Sequence, residues 1–277
     1  MGLNRERERF DAFYRRKWAG HDGFWAERYP PDQRVYAASV YGRRNEAILA
    51  EAGPRPGIVL DLGCGVGDLS QLLAERTERV VASDVSLENA RRAQANLGKA
   101  GVKAAVVQGE GERLPFADGT FDLVIVADVI EHVASVPATL QEIRRVLGTG
   151  GRMICATPIR STLQGWRAAD WAARKLARPT RVAPFEWRNA DVHETFLSPR
   201  ELRSAIVAAG MRPLRFRRVC FYPAAETPGA FGAVMSWTHG RSGPVAFERT
   251  AARVLGAFDT IERLGVLNQK QLWVAER

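Results

Sequence analysis

Short apolar runs alternate with amphipathic segments through the central part of the chain. Five of these runs are nearly continuous and rich in β-branched residues, which is typical of strands buried on both faces of a parallel sheet. They fall at 58–62, 80–84, 104–109, 121–128 and 152–158. The segments between them carry leucine and alanine at helical spacing. This alternation predicts an α/β fold with a doubly wound, mostly parallel sheet, whose ligands bind at the carboxyl ends of the strands.

The first run leads into a glycine-rich turn. Asp61 is followed by Gly63, Gly65 and Gly67, and a leucine-rich segment with helical spacing begins after Asp68. Glycines allow the backbone to turn sharply and to approach a ligand without interfering Cβ atoms. A tight strand-to-helix turn without a ligand would explain the same glycines, but the acid before them favours a nucleoside-type ligand. A dinucleotide fingerprint would need glycine at position 68, so the pattern is D-x-G-x-G-x-G.

A second carboxylate is expected beside this turn. Asp84 ends the second run, 21 residues beyond Gly63. At that distance a strand–helix–strand unit returns an acid to the same crevice, where it can accept hydrogen bonds from both hydroxyls of a ribose. Ser86 then stands in the position of a helix cap, with Asn89 as the third residue of the helix in place of the glutamate or glutamine of a capping box.

Two further local signals mark element boundaries. Residues 148–151, GTGG, predict a turn before strand five, and Ser198, Pro199 and Glu201 predict a capping box at the start of a helix.

Three ordered motifs resemble those of the class I S-adenosylmethionine-dependent methyltransferases. They are the glycine turn, the acid Asp84, and the stretch 109–133, GEGERLPFADGTFDLVIVADVIEHV. The resemblance implies that S-adenosylmethionine is the cofactor, that Asp61 and the backbone of 63–65 hold its methionine part, and that Glu110 binds its adenine amino group. We expect the cofactor to contact Asp61, Gly63, Cys64, Gly65, Asp84, Val85, Glu110, Gly111 and Ala127, with Tyr36 as a lid contact.

The same resemblance implies a seven-stranded sheet. We place two late antiparallel strands at 212–219 and 268–276. Residues 1–52 are expected to form an N-terminal helical lid, although its aromatic residues would equally serve to pack helices on the sheet. Residues 53–277 are expected to form the methyltransferase domain. Two insertions should shape the acceptor site, one after strand five at 159–192 and one between strands six and seven at 221–266.

The block after strand four carries the candidate acceptor chemistry. Glu131-His132-Val133 is similar to the block found in ubiquinone-pathway O-methyltransferases and small-molecule natural-product methyltransferases. A phenol has a pKa of about 10 and a free imidazole of about 6.5, so a positioned histidine can act as general base at neutral pH. We expect His132 to be the base or to orient the acceptor, with His193 as the second candidate. A histidine satisfied by a backbone carbonyl is the structural alternative.

Glu131 is expected to orient an imidazole or to join a divalent cation. Further carboxylates at metal-ligand spacing are missing around it, so no required metal is predicted.

The predicted function is transfer of a methyl group to a small or lipid-like acceptor, at oxygen. Two alternatives stay open: methylation at nitrogen or carbon of a secondary metabolite, and a non-catalytic cofactor-binding partner protein. The residues 127–132 differ from the Pro-Pro-aromatic and Pro-Cys blocks of base-modifying methyltransferases, which argues against a nucleic acid substrate. The sequence does not indicate an oligomeric state.

The net charge of +9 is concentrated in one segment. Residues 152–218 carry 14 basic and 5 acidic side chains, and the remainder is nearly neutral. A solvated arginine-rich surface would explain this excess. Alternatively, the segment meets an anionic partner, and the tryptophan- and arginine-rich insertion 159–192 fits an interfacial helix on an anionic membrane.

The cysteines and the first residues bear on the compartment. Cys64, Cys155 and Cys220 lie in or beside predicted strands and lack metal spacing, which is typical of thiols in a reducing compartment. The N-terminal MGLNRERERF has no apolar core, and no apolar run reaches the roughly 18 residues of a membrane span. We therefore expect a cytoplasmic protein, peripheral at the membrane if the basic segment binds lipid.

Overall fold

A computed structural model of the 277-residue chain describes residues 2–17, 40–77, 79–159, 195–221 and 268–277. The helices of these ranges are α1 (Gly2–Lys17), α2 (Val40–Ala52), α3 (Asp68–Ala74), α4 (Leu87–Lys99), α5 (Val136–Val146) and α6 (Pro199–Ala208). The strands are β1 (Ile58–Leu62), β2 (Arg79–Asp84), β3 (Ala104–Gln108), β4 (Phe121–Ala127), β5 (Leu147–Pro158), β6 (Arg212–Phe221) and β7 (Asn268–Glu276).

All seven strands belong to one sheet, in the order β3-β2-β1-β4-β5-β7-β6. The first five strands are parallel, and β7 runs antiparallel to both β5 and β6. This confirms the predicted doubly wound, seven-stranded α/β sheet. The chain leaves β1 in one direction across the sheet and returns to β4 on its other side, so the carboxyl ends of these two strands border a crevice.

Apolar side chains cover both faces of the sheet, as the continuous apolar runs predicted. On one face, α5 and α6 pack through Leu140, Ile143 and Leu202. On the other face, α2 and α3 pack through Ile48 and Leu73. Each fully buried leucine or isoleucine contributes roughly 1.5–3 kcal/mol relative to exposure. The two apolar layers fix the strand ends that carry the site.

The start of α6 agrees with its predicted capping box, whereas the turn predicted at 148–151 is part of a strand. Ser198 and Glu201 form the expected capping box at the start of α6. The glycine turn expected at 148–151 lies inside β5, because the pairing with β4 moves from Phe121–Leu147 to Leu123–Arg152. The intervening glycines are accommodated as an irregularity of the strand, since they have no side chains to place on either face.

Two expected regions fall largely outside the described residues. The insertions 159–192 and 221–266 are described only at their first residues, and the N-terminal lid only at 2–17 and 40–52. Within the described ranges, no helix combines the length and the apolar content that crossing a membrane would require.

Candidate functional site

A cavity lies at the carboxyl ends of β1, β2, β3 and β4, with helix α1 on its outer wall. It is lined by the glycine turn, the acid at the end of β2 and the block after β4. Six of the expected cofactor residues and the expected base His132 share its wall. The lining residues are Phe10, Tyr14, Leu62, Gly63, Gly65, Asp84, Val85, Gly109, Glu110, Gly111, Glu112, Asp128, Val129, His132, Val133 and Ala134.

The glycine turn is held against the end of β2 by backbone hydrogen bonds. The N–H groups of Gly63 and Cys64 donate to the carbonyl oxygen of Ser83, at 2.7 and 2.9 Å. Gly63 has a φ of +73°, and a Cβ atom there would lie 2.1 Å from Cγ2 of Val129. Glycine suits this position because its φ is left-handed and because a Cβ atom would collide with the side chain of Val129.

Asp84 is a buried carboxylate with three donors from the protein. Its Oδ2 accepts from the N–H of Gly65 at 2.9 Å, and its Oδ1 accepts from the N–H of Ser86 at 2.9 Å and the amide of Asn89 at 3.3 Å. Burial raises the pKa of Asp84 to about 6, and these hydrogen bonds act against that rise. A carboxylate offers about four acceptor sites. One acceptor site is therefore left for the hydroxyl group of a ligand. A second hydroxyl group would have to share an acceptor site that a protein donor already uses.

Asp61 lies behind the cavity and not on its wall. It is 1% exposed, and its Oδ2 accepts a hydrogen bond from the hydroxyl of Ser70, in α3, at 2.6 Å. Burial raises the pKa of Asp61 to about 6, against the effects of Ser70 and Arg44. Cys64 and Ala127 also lie outside the cavity lining. Asp61 thus joins β1 to the helix that follows the glycine turn.

Glu110 and Gly111 form the wall beyond the end of β3. Glu110 is buried and forms an isolated antiparallel bridge with Arg113. A Cβ atom at Gly111 would lie 3.1 Å from Cγ2 of Thr139, in α5. This loop therefore packs closely on α5, which holds Glu110 in the cavity wall.

Asp128, the first residue after β4, joins two cations from distant parts of the chain. Its Oδ2 lies 2.7 Å from Nη1 of Arg44 in α2, and its Oδ1 lies 2.5 Å from Nζ of Lys270 in β7. Burial raises the pKa of Asp128, but Lys270 and Arg44 outweigh burial and hold it below its usual value. Its backbone is left-handed, with a φ of +57°, which costs about 1–2 kcal/mol for a residue with a side chain. The sequence analysis did not assign this cluster.

Glu131 and His132 occupy different environments. Glu131 is 2% exposed, and its Oε2 accepts a hydrogen bond from the hydroxyl of Thr157 at 2.8 Å. Burial and the neighbouring Asp128 raise the pKa of Glu131. His132 lines the cavity, and its backbone N–H donates to the carbonyl of Val129 at 2.8 Å. His132 therefore belongs to the cavity wall, whereas Glu131 is not among the residues that line it.

Helix α1 supplies two aromatic wall residues that the sequence analysis did not single out. Phe10 and Tyr14 stack one helical turn apart, with ring centroids separated by 6.4 Å. Asp11 lies between them, and its Oδ1 accepts from the hydroxyl of Ser86 at 2.7 Å and from the N–H of Glu88 at 3.3 Å. The four-residue spacing of the two aromatic residues is visible in the sequence. The sequence does not show that α1 docks at the start of α4.

Two expected site residues, Tyr36 and His193, lie outside the described residues and stay predictions. The described ranges hold no group of three or more histidine, cysteine, aspartate or glutamate side chains arranged to bind a metal ion.

Comparisons with known proteins include a family match that covers the cavity-lining residues outside α1. A family model described as a methyltransferase domain matches residues 60–155. The chain is 31% identical over 206 residues to demethylmenaquinone methyltransferase of Symbiobacterium thermophilum, covering 67% of this chain and 80% of that protein. It is 29% identical over 220 residues to a ubiquinone biosynthesis O-methyltransferase of Cereibacter sphaeroides, covering 78% of this chain and 85% of that protein.

A solved structure extends the likeness to the whole fold. An S-adenosylmethionine-dependent methyltransferase of Thermotoga maritima has a TM-score of 0.55 at 18% identity, and the match covers 98% of each chain. At this level of identity the likeness concerns the fold alone.

Proposed function

The chain belongs to the S-adenosylmethionine-dependent methyltransferases, and we propose that it methylates an oxygen atom of a lipid-like phenol. The observation that carries this proposal is the position of His132, whose imidazole shares one cavity with Asp84 and the glycine turn. The names of relatives from demethylmenaquinone and ubiquinone synthesis support a quinone precursor as the acceptor.

The residues around the cavity fit S-adenosylmethionine. Apart from its chain neighbours, no described residue has an atom within 4 Å of the place that a Cβ of Gly65 would take, which leaves room for the methionine part. The remaining acceptor site of Asp84 suits a ribose hydroxyl. We propose that Glu110 and Gly111 bind the adenine, with Val85 beside it. When bound, the cofactor supplies a methyl group that its positive sulfur already activates for in-line displacement.

Residues behind the wall position this site. We propose that Asp61 acts through Ser70, which holds α3 and thereby the glycine turn that includes Cys64. Ala127 leads β4 into Asp128, so we assign it the same indirect role. Residues 1–52 are proposed to form the lid, in which α1 places Phe10 and Tyr14 over the cofactor. The insertions 159–192 and 221–266 are proposed to complete the acceptor pocket within the domain 53–277.

His132 is proposed to accept the proton of the phenolic hydroxyl, so that the acceptor oxygen carries the electron pair for the new bond to carbon. Val129, Val133 and Ala134 supply an apolar wall for the ring beside it. Glu131 is proposed as a positioning residue, because it precedes His132 in the chain, accepts a hydrogen bond from Thr157 and lies outside the cavity lining. His193 remains the second candidate base.

The test compares His132→Ala with Glu112→Gln, a change at another residue of the cavity wall. Turnover of a catechol-type quinone precursor should fall by roughly 10² in the histidine variant and change little in the control. Calorimetry with S-adenosylhomocysteine should give the same affinity for both. Unchanged turnover of His132→Ala would reject the base, and failure to bind S-adenosylhomocysteine would reject the cofactor residues.

The alternatives give different results in the same assay. An amine or carbon acceptor that is methylated independently of His132 would favour nitrogen or carbon transfer. Cofactor binding without any methylated product would favour the non-catalytic partner protein.

A further inference from the structure

Strand β6 forms an edge of the sheet and exposes apolar side chains. The large hydrophobic residues that are exposed in the described part of the chain are Val207, at 49%, Leu214, at 43%, and Phe216, at 40%. All three belong to α6 and β6, which follow one another directly. Scattered exposed apolar residues need no explanation, but a local group of them marks a surface that meets a partner.

The same strand is strongly basic. It carries Arg212, Arg215, Arg217 and Arg218 and no acid, and residues 199–219 hold six arginines against one glutamate. Arg215 and Arg217 share the carboxylate of Glu51, and they keep 63% and 50% of their side chains exposed. Arg212 also pairs with Glu276 at the surface. In the β6 edge, which we define as 212–218, arginines thus alternate with two exposed apolar side chains, and the four arginines outnumber the two carboxylates of these ion pairs.

We propose that the β6 edge is the surface with which this protein docks on an anionic lipid bilayer. A bilayer surface offers negative headgroups for guanidinium groups and an apolar boundary for Leu214 and Phe216. In a dimer formed through this surface, the four arginines of one β6 edge would face the four arginines of the other. The repulsion between these like charges opposes pairing of two such edges. Duplex nucleic acid would satisfy the arginines but would leave the apolar residues unused.

Only the carboxyl end of the edge, at Arg218, lies on the cavity side of the sheet, because Arg212 pairs with Glu276 at the opposite end of β7. The use of this end in delivering a lipid-like acceptor rests on the proposed function. In β6, Val219 pairs with Lys270 of β7, whose amine binds Asp128 on the cavity wall. Strand β6 is separated from β4 by three strand spacings, a distance of roughly 14 Å at about 4.8 Å each. The sequence analysis placed a membrane contact on 159–192, whereas the β6 edge is a separate surface on described residues.

The experiment is co-sedimentation of the full chain with vesicles of phosphatidylcholine alone and of an equal mixture with phosphatidylglycerol. Arg212→Gln with Arg218→Gln should lower partitioning into the anionic vesicles by more than tenfold, since each arginine near the surface is worth roughly a factor of five. The matched control removes two exposed arginines elsewhere, Arg76→Gln with Arg91→Gln, and should change partitioning by less than about threefold at the ionic strength of the cell.

The apolar residues are tested by Leu214→Ser, because Phe216 also packs on Trp273 with centroids 4.6 Å apart. This variant should keep its melting temperature and lose the part of binding that high salt does not reverse. Equal losses from both arginine pairs, unchanged binding of the variants, or no sedimentation of the wild type would overturn the proposal. A dimer dissociated by Leu214→Ser, or tighter binding to a DNA duplex than to vesicles, would also overturn it.

Cofactor affinity is measured on the same proteins and should be equal in all of them. If S-adenosylhomocysteine binds nowhere while vesicle binding follows the pattern above, the proposed function fails and the docking surface stands. If the protein binds the cofactor and methylates the acceptor but does not bind vesicles, the docking surface fails and the proposed function stands.

Discussion

The amine of Lys270 lies 2.5 Å from Oδ1 of Asp128, although 142 positions of the chain separate the two residues. The pair joins β7 to the end of β4 beside the cavity. Both side chains are largely buried, with 8% of Lys270 and 19% of Asp128 exposed. Removing one partner of such a pair leaves the other charge without compensation, which costs about 3–5 kcal/mol.

We predict that Lys270→Met lowers the free energy of unfolding by roughly 3 kcal/mol, at the low end of that range because Arg44 still binds Asp128. Urea unfolding measures the change. Arg212→Met is the control, since Arg212 pairs with Glu276 at the surface with 71% of its side chain exposed, and such pairs contribute about 1 kcal/mol or less. Equal costs for the two variants would contradict a buried, energetically important pair.

The stability of the cofactor-free protein should fall as pH rises from about 4 to about 6. Asp61 and Asp84 have pKa values raised from 3.8 to about 6 by burial, so the folded state binds more protons than the unfolded state in this window. Their contribution is complete below pH 4 and is lost as pH passes 6, by up to about 3 kcal/mol for each group.

Urea unfolding at a series of pH values can isolate this effect. Asp61→Asn should remove about half of the decrease, whereas Asp118→Asn, at an exposed surface pair, should leave the slope unchanged. If the free energy of unfolding depends on pH equally in the wild-type protein and in Asp61→Asn, Asp61 is not the origin of the decrease.

Gly63→Ala should abolish cofactor binding through a clash that a second substitution relieves. The new Cβ would meet Cγ2 of Val129 at 2.1 Å, in addition to the strain of a φ of +73°. Val129→Ala in the same chain should restore most of the lost affinity for S-adenosylhomocysteine, measured by calorimetry. Gly101→Ala has a similar φ of +70° and open space around it, so it should cost only the strain of about 1–2 kcal/mol in unfolding free energy. Lack of rescue by Val129→Ala would reject the clash as the cause.

Asp11→Ala should loosen α1 and weaken cofactor affinity by roughly tenfold, which corresponds to about 1.4 kcal/mol. The physical reason is the loss of the hydrogen bonds from Ser86 and Glu88 that hold Phe10 and Tyr14 over the cavity. Calorimetry with S-adenosylhomocysteine measures the effect, and Glu8→Ala, an exposed acid on the same helix, is the control. If both variants bind alike, α1 does not cover the cofactor.

The features that sequence analysis predicted correctly have local causes. The continuous apolar runs mark strands because both sheet faces are covered, and Ser198 and Glu201 mark a helix start because a capping box spans only four residues. Asn89 combines a predicted feature with one that was not predicted. The sequence indicated its position in the helix cap, but not why asparagine stands there. Its amide donates to Asp84, a role that glutamate could not fill.

The features that it missed depend on distant residues. Arg44 and Lys270 meet at Asp128 only after α2 and β7 have packed on the sheet. Nothing in the pattern around Asp128 indicates which cations will arrive there. Asp61 was expected to hold the cofactor, and Glu131 to orient an imidazole or to join a divalent cation. Their burial outside the cavity lining follows from α3 and β5, which place Ser70 and Thr157 against them.

The position of β7 inside the sheet has a consequence for synthesis of the protein. Strand β6 is made before β7, yet among the described strands its pairing partner is β7. As the chain grows from its N-terminus, β1 to β5 can assemble early, while β6 waits with its arginines and exposed apolar residues until residues 268–276 have been translated. A ribosome that stalls between these two strands would hold a chain whose glycine turn is complete but whose Asp128 lacks Lys270, so β7 and Lys270 are among the last parts to be added to the site.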